Sequence, residues 1–443
     1  MASLRNAWLW PLALVLAACS QHQESRAMGV TAPPDPSVRI FRSDRETSWT
    51  SFRLGGGLNV VVVDPRLPSA FAWSVRTGGI SSSPVVYHDA ILVASNDHRL
   101  YAIDGATGAI RWTYKAENEL MAQPIYERGT IFVATGNSDC SAYFPPSYVV
   151  MGLGTNRIEA IDAATGRETW SQGIAGTGMP TPLLVGGAIV HADGAGAVVA
   201  LDSKTGAYRW HASLPSFFSM TAVTRGDAGR IYVSGGFPNA VYALNAKTGA
   251  VLWRRAFARV DGAIADDPIA STKTSLVGMY VEPLARGPQG WVVQFGSLAR
   301  QHVYALDKRT GSVLWDRTLA NVKGRAPAFN ESAIPLIYRN AIFIGSALTS
   351  IVSALDVRSG RVLWQLRVKG PVKGGLVARN GIVYFGDLGG YFWAVDAATG
   401  RVLGRKAEGV HFNVGSPIIV NDTLIDGSRE GVVAVPLRSL RSG

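Results

Sequence analysis

Short runs of alternating apolar and polar residues, broken by turn residues, fill most of the 443-residue chain. In one such pattern, residues 101–112, an alternating run leads to an aspartate, a Thr-Gly pair follows, and a second run ends on Trp112. Alternation over a few residues is typical of β-strands. Asp-x-x-Thr-Gly is turn chemistry, because Asp bonds nearby backbone amides and Gly tolerates a positive φ. Each pattern therefore predicts a β-hairpin whose outer strand ends on a tryptophan.

The hairpin pattern occurs seven times, which identifies a repeat protein. Its aspartates are Asp104, Asp162, Asp202, Asp307, Asp356 and Asp396, with an asparagine in the remaining copy. Its tryptophans are Trp112, Trp170, Trp210, Trp253, Trp315 and Trp364, and Gly404 stands in the seventh position. Another apolar strand pair precedes each hairpin, so each repeat predicts four short antiparallel strands.

The count of outer strands predicts how the repeats close. Residues 71–75, around Trp73, match an outer strand without a hairpin of its own, whereas the last repeat ends at residue 436 without an outer strand. If the early strand completes the last sheet, residues 71–436 form an all-β, eight-bladed β-propeller of four-stranded antiparallel blades. That closed ring leaves only short, protected edges. An open solenoid is the alternative, but it leaves the strand at Trp73 unexplained.

The pattern A-h-D-x-x-T-G-x-x-x-W resembles the tryptophan-docking repeat of the pyrroloquinoline quinone (PQQ) propeller superfamily over residues 71–436. Two subgroups of that superfamily differ in function. The quinoprotein dehydrogenases imply PQQ and calcium as cofactors and oxidation of alcohols or sugars. The BamB-like propeller lipoproteins of outer-membrane protein assembly imply a non-catalytic role, protein partners and no cofactor.

The N-terminus predicts an export signal. One arginine precedes an apolar stretch of about eleven residues, too short for the roughly twenty that span a bilayer, and small residues follow. Residues 16–19, Leu-Ala-Ala-Cys, resemble the lipobox of bacterial lipoproteins, which implies lipid attachment at Cys19. Ser20 is not the aspartate that usually retains such proteins in the inner membrane, so the resemblance implies an outer-membrane anchor with the domain in the periplasm. A buried core helix is the alternative.

These boundaries predict four parts of the chain. Residues 1–18 are a signal peptide, and residues 19–70 are the lipidated N-terminus with a tether and leading segment. Residues 71–436 are the propeller, and residues 437–443 are a tail.

Composition and charge exclude several classes of protein. The chain is 47% hydrophobic and 17% charged, which excludes a disordered protein. Only two cysteines occur, Cys19 and Cys140, which excludes a disulfide framework. The net charge of +11 allows anionic partners. A solvated basic face is the first interpretation, and weak attraction to anionic lipid or an acidic partner is the alternative. The basic residues are scattered without a nucleic-acid-binding motif, so no nucleic-acid partner is expected.

Two repeats carry insertions in which added function is expected, at residues 135–157 and within 259–290. Asn137 follows a glycine in the first, as in the Gly-Asn with which quinoprotein dehydrogenases hold calcium beside the quinone. That resemblance makes Asn137 a candidate ligand of cofactor or metal, and a simple turn is the alternative. Asp266 and Asp267 in the second insertion are candidate metal ligands, and a solvated loop is the alternative.

Three basic residues near predicted inner strands, Arg325, Lys369 and Lys373, are candidates to bind an anion at the mouth of the central channel. Exposed charges without a ligand are the alternative. The sequence contains no adjacent cysteine pair, haem-attachment motif, nucleophile elbow, zinc-protease motif or P-loop. No catalytic residue is assigned.

Three functions follow from these observations. We predict an outer-membrane-anchored periplasmic scaffold that binds other proteins, because the catalytic set is incomplete, and expect no cofactor. Against assembly in particular, residues 259–270 lack the acidic loop usual in the BamB-like subgroup. A PQQ- and calcium-dependent oxidoreductase is the alternative, and a ligand-binding propeller without catalysis is the third.

Overall fold

Strands joined by tight turns make up nearly all of the structure. It is a computed structural model that describes residues 40–42, 51–54, 59–137, 141–144, 147–236, 238–257, 268–283, 299–322, 334–346, 348–412 and 414–441. Within these ranges the helical segments are two 3-10 turns, Phe52–Leu54 and Leu437–Leu440. No helix in the described part of the chain has the length and apolar character needed to cross a membrane.

The strands fall into eight blades, numbered in chain order. Strands β1 to β3 precede the first complete repeat and span Ile40–Arg42, Val61–Val63 and Trp73–Arg76. Blade 1 contains β4 to β7: Val85–Tyr87, Ala90–Ser95, Arg99–Asp104 and Ile110–Lys115. Blade 2 contains β8, β9, β12 and β13, with the hairpin β10–β11 inserted; β8 to β13 span Ile125–Glu127, Thr130–Thr135, Ser141–Phe144, Ser147–Val150, Arg157–Asp162 and Glu168–Gly173. Blade 3 contains β14 to β17: Leu183–Val185, Ala188–Ala192, Ala197–Asp202 and Tyr208–Ser213.

The second half of the ring repeats this plan. Blade 4 contains β18 to β21: Thr224–Arg225, Arg230–Gly235, Ala240–Asn245 and Val251–Ala256. Blade 5 contains β22 to β25: Ala270–Ser271, Ser275–Pro283, Ala299–Asp307 and Val313–Val322. Blade 6 contains β26 to β29: Leu336–Tyr338, Ala341–Ile344, Ile351–Asp356 and Val362–Arg367. Blade 7 contains β30 to β33: Val377–Arg379, Ile382–Gly386, Tyr391–Asp396 and Val402–Ala407. Blade 8 contains β34 to β36: Ile418–Val420, Thr423–Gly427 and Gly431–Pro436.

The turn between the third and fourth strands owes its shape to the repeated aspartate. In blade 1, Asp104 Oδ1 accepts hydrogen bonds from the backbone N–H and the hydroxyl of Thr107, both at 2.8 Å. The Arg111 guanidinium and Thr107 lower the pKa of Asp104 to about 2. The same Asp-to-Thr or Asp-to-Ser bonds form at Asp162, Asp202, Asp307, Asp356 and Asp396.

Each repeat tryptophan lies against the turn glycine of the next blade. Gly311 has φ +71°, and a Cβ added there would lie 2.6 Å from Cε3 of Trp253, so only glycine fits beneath the indole. The Trp364 indole N–H also donates to the carbonyl of Ala397, at 3.0 Å. The tryptophans and the glycines that they cover are Trp73 on Gly108, Trp112 on Gly166, Trp170 on Gly206, Trp210 on Gly249, Trp253 on Gly311, Trp315 on Gly360, and Trp364 on Gly400.

The N-terminal strand closes the ring, as predicted. Strand β3 pairs antiparallel with β36, and Trp73 lies opposite Ala434. Gly404 stands where the other repeats have tryptophan, and blade 8 has no Thr-Gly turn on which an indole could pack. Instead the chain continues into the 3-10 turn Leu437–Leu440, in the predicted tail, and the Leu440 carbonyl lies directly over Gly404.

Blade 8 is larger than the predicted four strands. Strand β2 pairs parallel with the inner strand β34, and β1 pairs parallel with β2, so the sheet has six strands in the order β1-β2-β34-β35-β36-β3. Residues 40–42 and 61–63 belong to the predicted leading segment 19–70. Part of that segment is therefore built into the propeller.

Candidate functional site

A segment of the chain itself lies at the centre of the ring. Phe52 packs against Ala222 and Ile334, which lie just before the inner strands of blades 4 and 6. The inner strands of a propeller surround its central channel. A side chain that touches blades 4 and 6 together therefore lies in that channel.

Arg53 ties this segment to further blades. Its backbone N–H donates to the side-chain oxygen of Gln123 in blade 2 at 3.4 Å, and Gln123 donates in turn to the carbonyl of Ser51 at 3.4 Å. The guanidinium Nη2 donates to the carbonyl of Leu376, just before blade 7, at 2.5 Å. Only 1% of Arg53 is exposed. The segment is thus bonded to blades 2 and 7, which lie three positions apart in the ring.

The centre of the channel is charged as well as buried. Burial lowers the pKa of Arg53 to about 9, although Asp426 opposes this shift. Burial also raises the pKa of Asp426 well above its ordinary value. Nε and Nη1 of Arg53 and Oγ of Ser416 have no hydrogen-bond partner within the described ranges. Arg53 has φ +45°, in the left-handed region that costs a non-glycine residue about 1–2 kcal/mol, so surrounding contacts hold it there.

The strand that follows fills the gap between the inner strands of blades 7 and 8. Asn59 bonds both backbone groups of Ala378 in β30: it donates to the carbonyl and accepts from the N–H, at 2.6 Å for the latter. Val61 then pairs with Ile419 in β34. Residues 51–54 and 59–63 therefore bring part of the N-terminal segment to the inner side of the ring.

Asn137 supports the insertion of blade 2. Its Oδ1 accepts from the Leu153 backbone N–H at 2.8 Å, and its Nδ2 donates to Asn118 Oδ1 at 2.9 Å and to the Leu153 carbonyl at 3.1 Å. Asn118 donates to the same carbonyl at 2.7 Å. Asn137 is 7% exposed. Both ends of its carboxamide are engaged within the protein, which favours a structural role in this turn over a calcium ligand.

Two of the three basic candidates are described, and they lie near blade 7. Lys369 Nζ lies 4.8 Å from the ring centroid of Tyr391, and the Arg405 guanidinium lies 5.5 Å from the same ring. Lys373 is half-buried in the loop before β30. Lys369 and Arg405 therefore share the ring of Tyr391. Arg325 lies outside the described residues.

Buried side chains at the axis count against PQQ with calcium, which the quinoprotein alternative would place there. Phe52 and Arg53 occupy the axis that a quinone would need. No group of three or more His, Cys, Asp or Glu side chains in the described part of the chain could hold a metal ion. Asp266 and Asp267 lie outside the described residues, as do Cys19 and Cys140.

Two carboxylates in blade 2 form a separate titratable group. The Tyr114 hydroxyl lies 2.7 Å from Glu168 Oε2 and 3.3 Å from Glu159 Oε2. Burial, followed by the neighbouring Glu168, raises the pKa of Glu159 to about 7. This group lies between the outer parts of blades 1 and 2, away from the axial segment.

Exposed apolar side chains concentrate on the outer strands of blades 4 to 7. In each, valine and leucine immediately precede the tryptophan position, and a β-bulge makes the leucine the extra residue of its strand. A bulge breaks strict alternation, so valine and leucine both face solvent in blades 4 to 6, where Leu314 is 54% exposed. In blade 7 Val402 is exposed, whereas Leu403 packs partly against the core. We call the exposed members the apolar rim: Val251, Leu252, Val313, Leu314, Val362, Leu363 and Val402.

Comparison with known proteins places this architecture in a family. The profile of the family described as outer membrane protein assembly factor BamB matches residues 38–226 and 299–439. BamB of Shewanella oneidensis is 22% identical over 374 residues, 82% of this chain and 88% of that protein. The crystal structure of BamB from Moraxella catarrhalis superimposes with a TM-score of 0.62 at 18% identity, covering 82% of this chain and 97% of that one.

A second kind of relative has an enzyme's name. Tetrathionate hydrolase of Acidithiobacillus ferrooxidans is 26% identical over 381 residues, covering 82% of this chain and 74% of that protein. The similarity extends over most of both chains, so it concerns the propeller as a whole.

Proposed function

The chain belongs to the BamB propeller family, and from this premise we propose that it is a scaffold that binds other proteins in assembly of the outer membrane. The observation that carries the proposal is the axial segment. Phe52 and Arg53 are buried in the central channel, where the quinoprotein alternative needs room for its cofactor. Partners would then bind the outer surface of the propeller, which includes the apolar rim.

Protein capture tests the scaffold role. We would purify the tagged full-length protein from its own outer membrane after mild cross-linking and quantify co-purifying proteins against a tag-only control. The proposal expects outer-membrane assembly proteins in reproducible, near-stoichiometric amounts. Recovery of the protein alone, from membranes in which it is intact and abundant, would contradict the proposal.

The predicted anchor at Cys19 gives the scaffold its place at the outer membrane. Replacing this residue, Cys19→Ser, is expected to abolish incorporation of radioactive palmitate and to release the protein into the periplasmic fraction. Cys140→Ser is the matched control, because it removes the other thiol and leaves the lipobox intact. Equal palmitate labelling of both variants would refute the anchor.

A cofactor titration tests the quinoprotein alternative. Purified protein would be mixed with PQQ and calcium, and quinone absorbance and dye reduction with alcohols or sugars would be followed. Because the axis is filled by residues 51–53, we expect neither retained quinone after desalting nor turnover. Stoichiometric retention with dye reduction would overturn the scaffold proposal.

A hydrolase of sulfur oxyanions is the second candidate function. The similarity to tetrathionate hydrolase over 82% of this chain favours it. The net charge of +11 is also suited to attracting an anionic substrate. The test is loss of tetrathionate, followed by ion chromatography, in the presence of purified protein. Heat-denatured protein is the control, and an equal rate in both samples would exclude this candidate.

A further inference from the structure

The apolar rim is confined to one side of the ring. Among the described residues, ten large hydrophobic side chains are exposed, and the rim contributes Val251, Leu252, Val313, Leu314, Val362, Leu363 and Val402. In blades 1 to 3 the same two positions hold Ile110 with Arg111, Glu168 with Thr169, and Tyr208 with Arg209. Blades 4 to 6 thus expose apolar pairs at equivalent positions of successive outer strands and blade 7 exposes the valine of its pair, whereas each pair in blades 1 to 3 includes a charged residue.

The arginines of the outer strands also differ in their partners between blade 1 and blades 4 to 7. Arg111 in blade 1 forms ion pairs with Asp89 and Asp104, both at 2.7 Å. In blades 4 to 7 the outer-strand arginines contact carbonyls, hydroxyls or rings instead, as when Arg255 Nε donates to the Gly311 carbonyl at 2.7 Å. Five of them form no ion pair with a carboxylate within the described ranges: Arg254, Arg255, Arg317, Arg367 and Arg405. Arg317 interacts electrostatically with the neighbouring Asp316, so the charge of the other four is the part available to a partner.

We propose that the apolar rim and these four arginines form a docking surface for an acidic protein segment in which apolar residues are interspersed with aspartate or glutamate. The inference rests on the proposed scaffold role and adds the chemistry of the partner. Burial of the valine and leucine side chains supplies binding free energy, while the uncompensated guanidinium groups attract and orient carboxylates. Part of the basic excess of the chain thereby acquires a role.

The strand edges favour a protein over a lipid surface as the occupant. Strands β21, β25, β29 and β33 are each the last strand of their sheet, so one row of backbone N–H and C=O groups is unpaired within the sheet. A peptide can hydrogen-bond such groups, whereas acyl chains cannot. Strand β25, Val313–Val322, is the longest of these edges, with 10 residues.

Fluorescence anisotropy with a designed peptide tests the surface. The probe is a labelled peptide of repeated Asp-Leu-Ser-Val units, and its matched control has lysine in place of aspartate. With the purified full chain we expect saturable binding of the acidic probe that weakens with salt, and at least about tenfold weaker binding of the basic control. Equal binding of both peptides, or of neither, would overturn the proposal.

Two sets of substitutions assign the binding to the rim. The triple variant Leu252→Ser, Leu314→Ser and Leu363→Ser removes apolar contacts, and the pair Arg254→Glu and Arg367→Glu reverses charge. Each is expected to weaken binding of the acidic peptide by about tenfold or more. The double variant Ile110→Ser and Tyr208→Ser is the control, because it removes exposed apolar groups from blades 1 and 3. An unchanged melting temperature establishes that each variant is folded, and equal losses in control and triple variants would refute the assignment.

Vesicle sedimentation and protein capture distinguish a lipid from a protein as the occupant of this surface. Vesicles of phosphatidylethanolamine and phosphatidylglycerol at three to one would be sedimented with the same variants. Binding of vesicles but not of the acidic peptide, lost in the leucine variant, would replace the protein partner by lipid. If both rim variants still capture assembly proteins unchanged, this docking surface is refuted and the scaffold role is left intact. If the unaltered protein captures none, the result counts against the scaffold role itself.

Discussion

His191 makes the stability of the propeller depend on pH in a calculable way. It lies in β15 with no exposed surface, and neither ring nitrogen has a hydrogen-bond partner in the described part of the chain. Burial lowers its pKa from the ordinary value of 6.5 to about 3. The folded protein therefore keeps this imidazole neutral at pH values where the unfolded chain protonates it.

The sign and size of the effect follow from that difference. As pH falls below about 6.5, the unfolded state binds a proton that the folded state does not, so stability is lost progressively until the pH approaches about 3. Between about pH 7.5 and about pH 5 the loss from His191 is about 2 kcal/mol. This figure depends almost entirely on the unfolded pKa, because the folded imidazole is still neutral at pH 5.

Urea unfolding at the two pH values, followed by tryptophan fluorescence, measures the effect. His191→Leu removes the titrating group. On going from about pH 7.5 to about pH 5, its free energy of unfolding is therefore expected to fall by about 2 kcal/mol less than that of the unaltered protein. His211→Gln, on the exposed outer strand of the same blade, is the control, because it removes a histidine and leaves His191 in place. If the leucine variant lost as much stability as the unaltered protein, protonation of His191 would not be the cause.

Three further perturbations test other parts of the structure. Gly311→Ala adds a Cβ against an indole as well as left-handed strain, whereas Gly381→Ala, with φ +78° and no atom within 4 Å of the added Cβ, adds strain alone. Thermal unfolding should therefore show Gly311→Ala to be the more damaging by about 1–3 kcal/mol, and equal losses would contradict the docking account. The folded Glu159 carboxyl, with a pKa of about 7, costs stability as pH rises, because the unfolded chain releases this proton at lower pH. Between about pH 5 and about pH 8.5, the free energy of unfolding of Glu159→Gln should therefore rise by about 2 kcal/mol relative to that of the unaltered protein. A parallel pH dependence of the two proteins in urea unfolding would refute this. Asn137→Ala should lower the free energy of unfolding by about 1–3 kcal/mol with calcium absent or present, and calcium stabilisation seen only in the unaltered protein would restore the ligand hypothesis.

The parts of the fold that local chemistry dictates were predictable from the sequence. Asp104 and its equivalents bond residues three positions away, so the turn is encoded within one short segment. Closure by the strand at Trp73 followed from counting outer strands, since a ring of equal units must supply the missing strand. The insertion was visible as added length, but the partners of Asn137 depend on how the insertion folds back, which its local Gly-Asn sequence does not specify.

The axial segment was harder to predict because its partners are distant in sequence. Arg53 bonds Leu376 and Asn59 bonds Ala378, contacts that no local periodicity reveals. One signal was available: residues 59–63 read Asn-Val-Val-Val-Val, and a short continuous apolar run is typical of a strand buried on both faces. Strand β2 is an additional strand at the axial edge of blade 8 and is not one of the four strands of a repeat. Its position therefore does not follow from the repeat pattern.

The N-terminal segment holds the last blade from both sides, and this arrangement determines where a tether acts. Strands β1 and β2 pair at the inner edge of blade 8, and β3 pairs at its outer edge. A chain that runs from the predicted anchor at Cys19 reaches the inner edge first, at Ile40, and the closing strand last, at Trp73. A pull on the anchor is therefore borne by the parallel pair β1–β2 and by the axial contacts of Arg53 before it reaches β3. Tension from an anchor at Cys19 would therefore reach the outer closure of the ring, with Trp73 on Gly108, last.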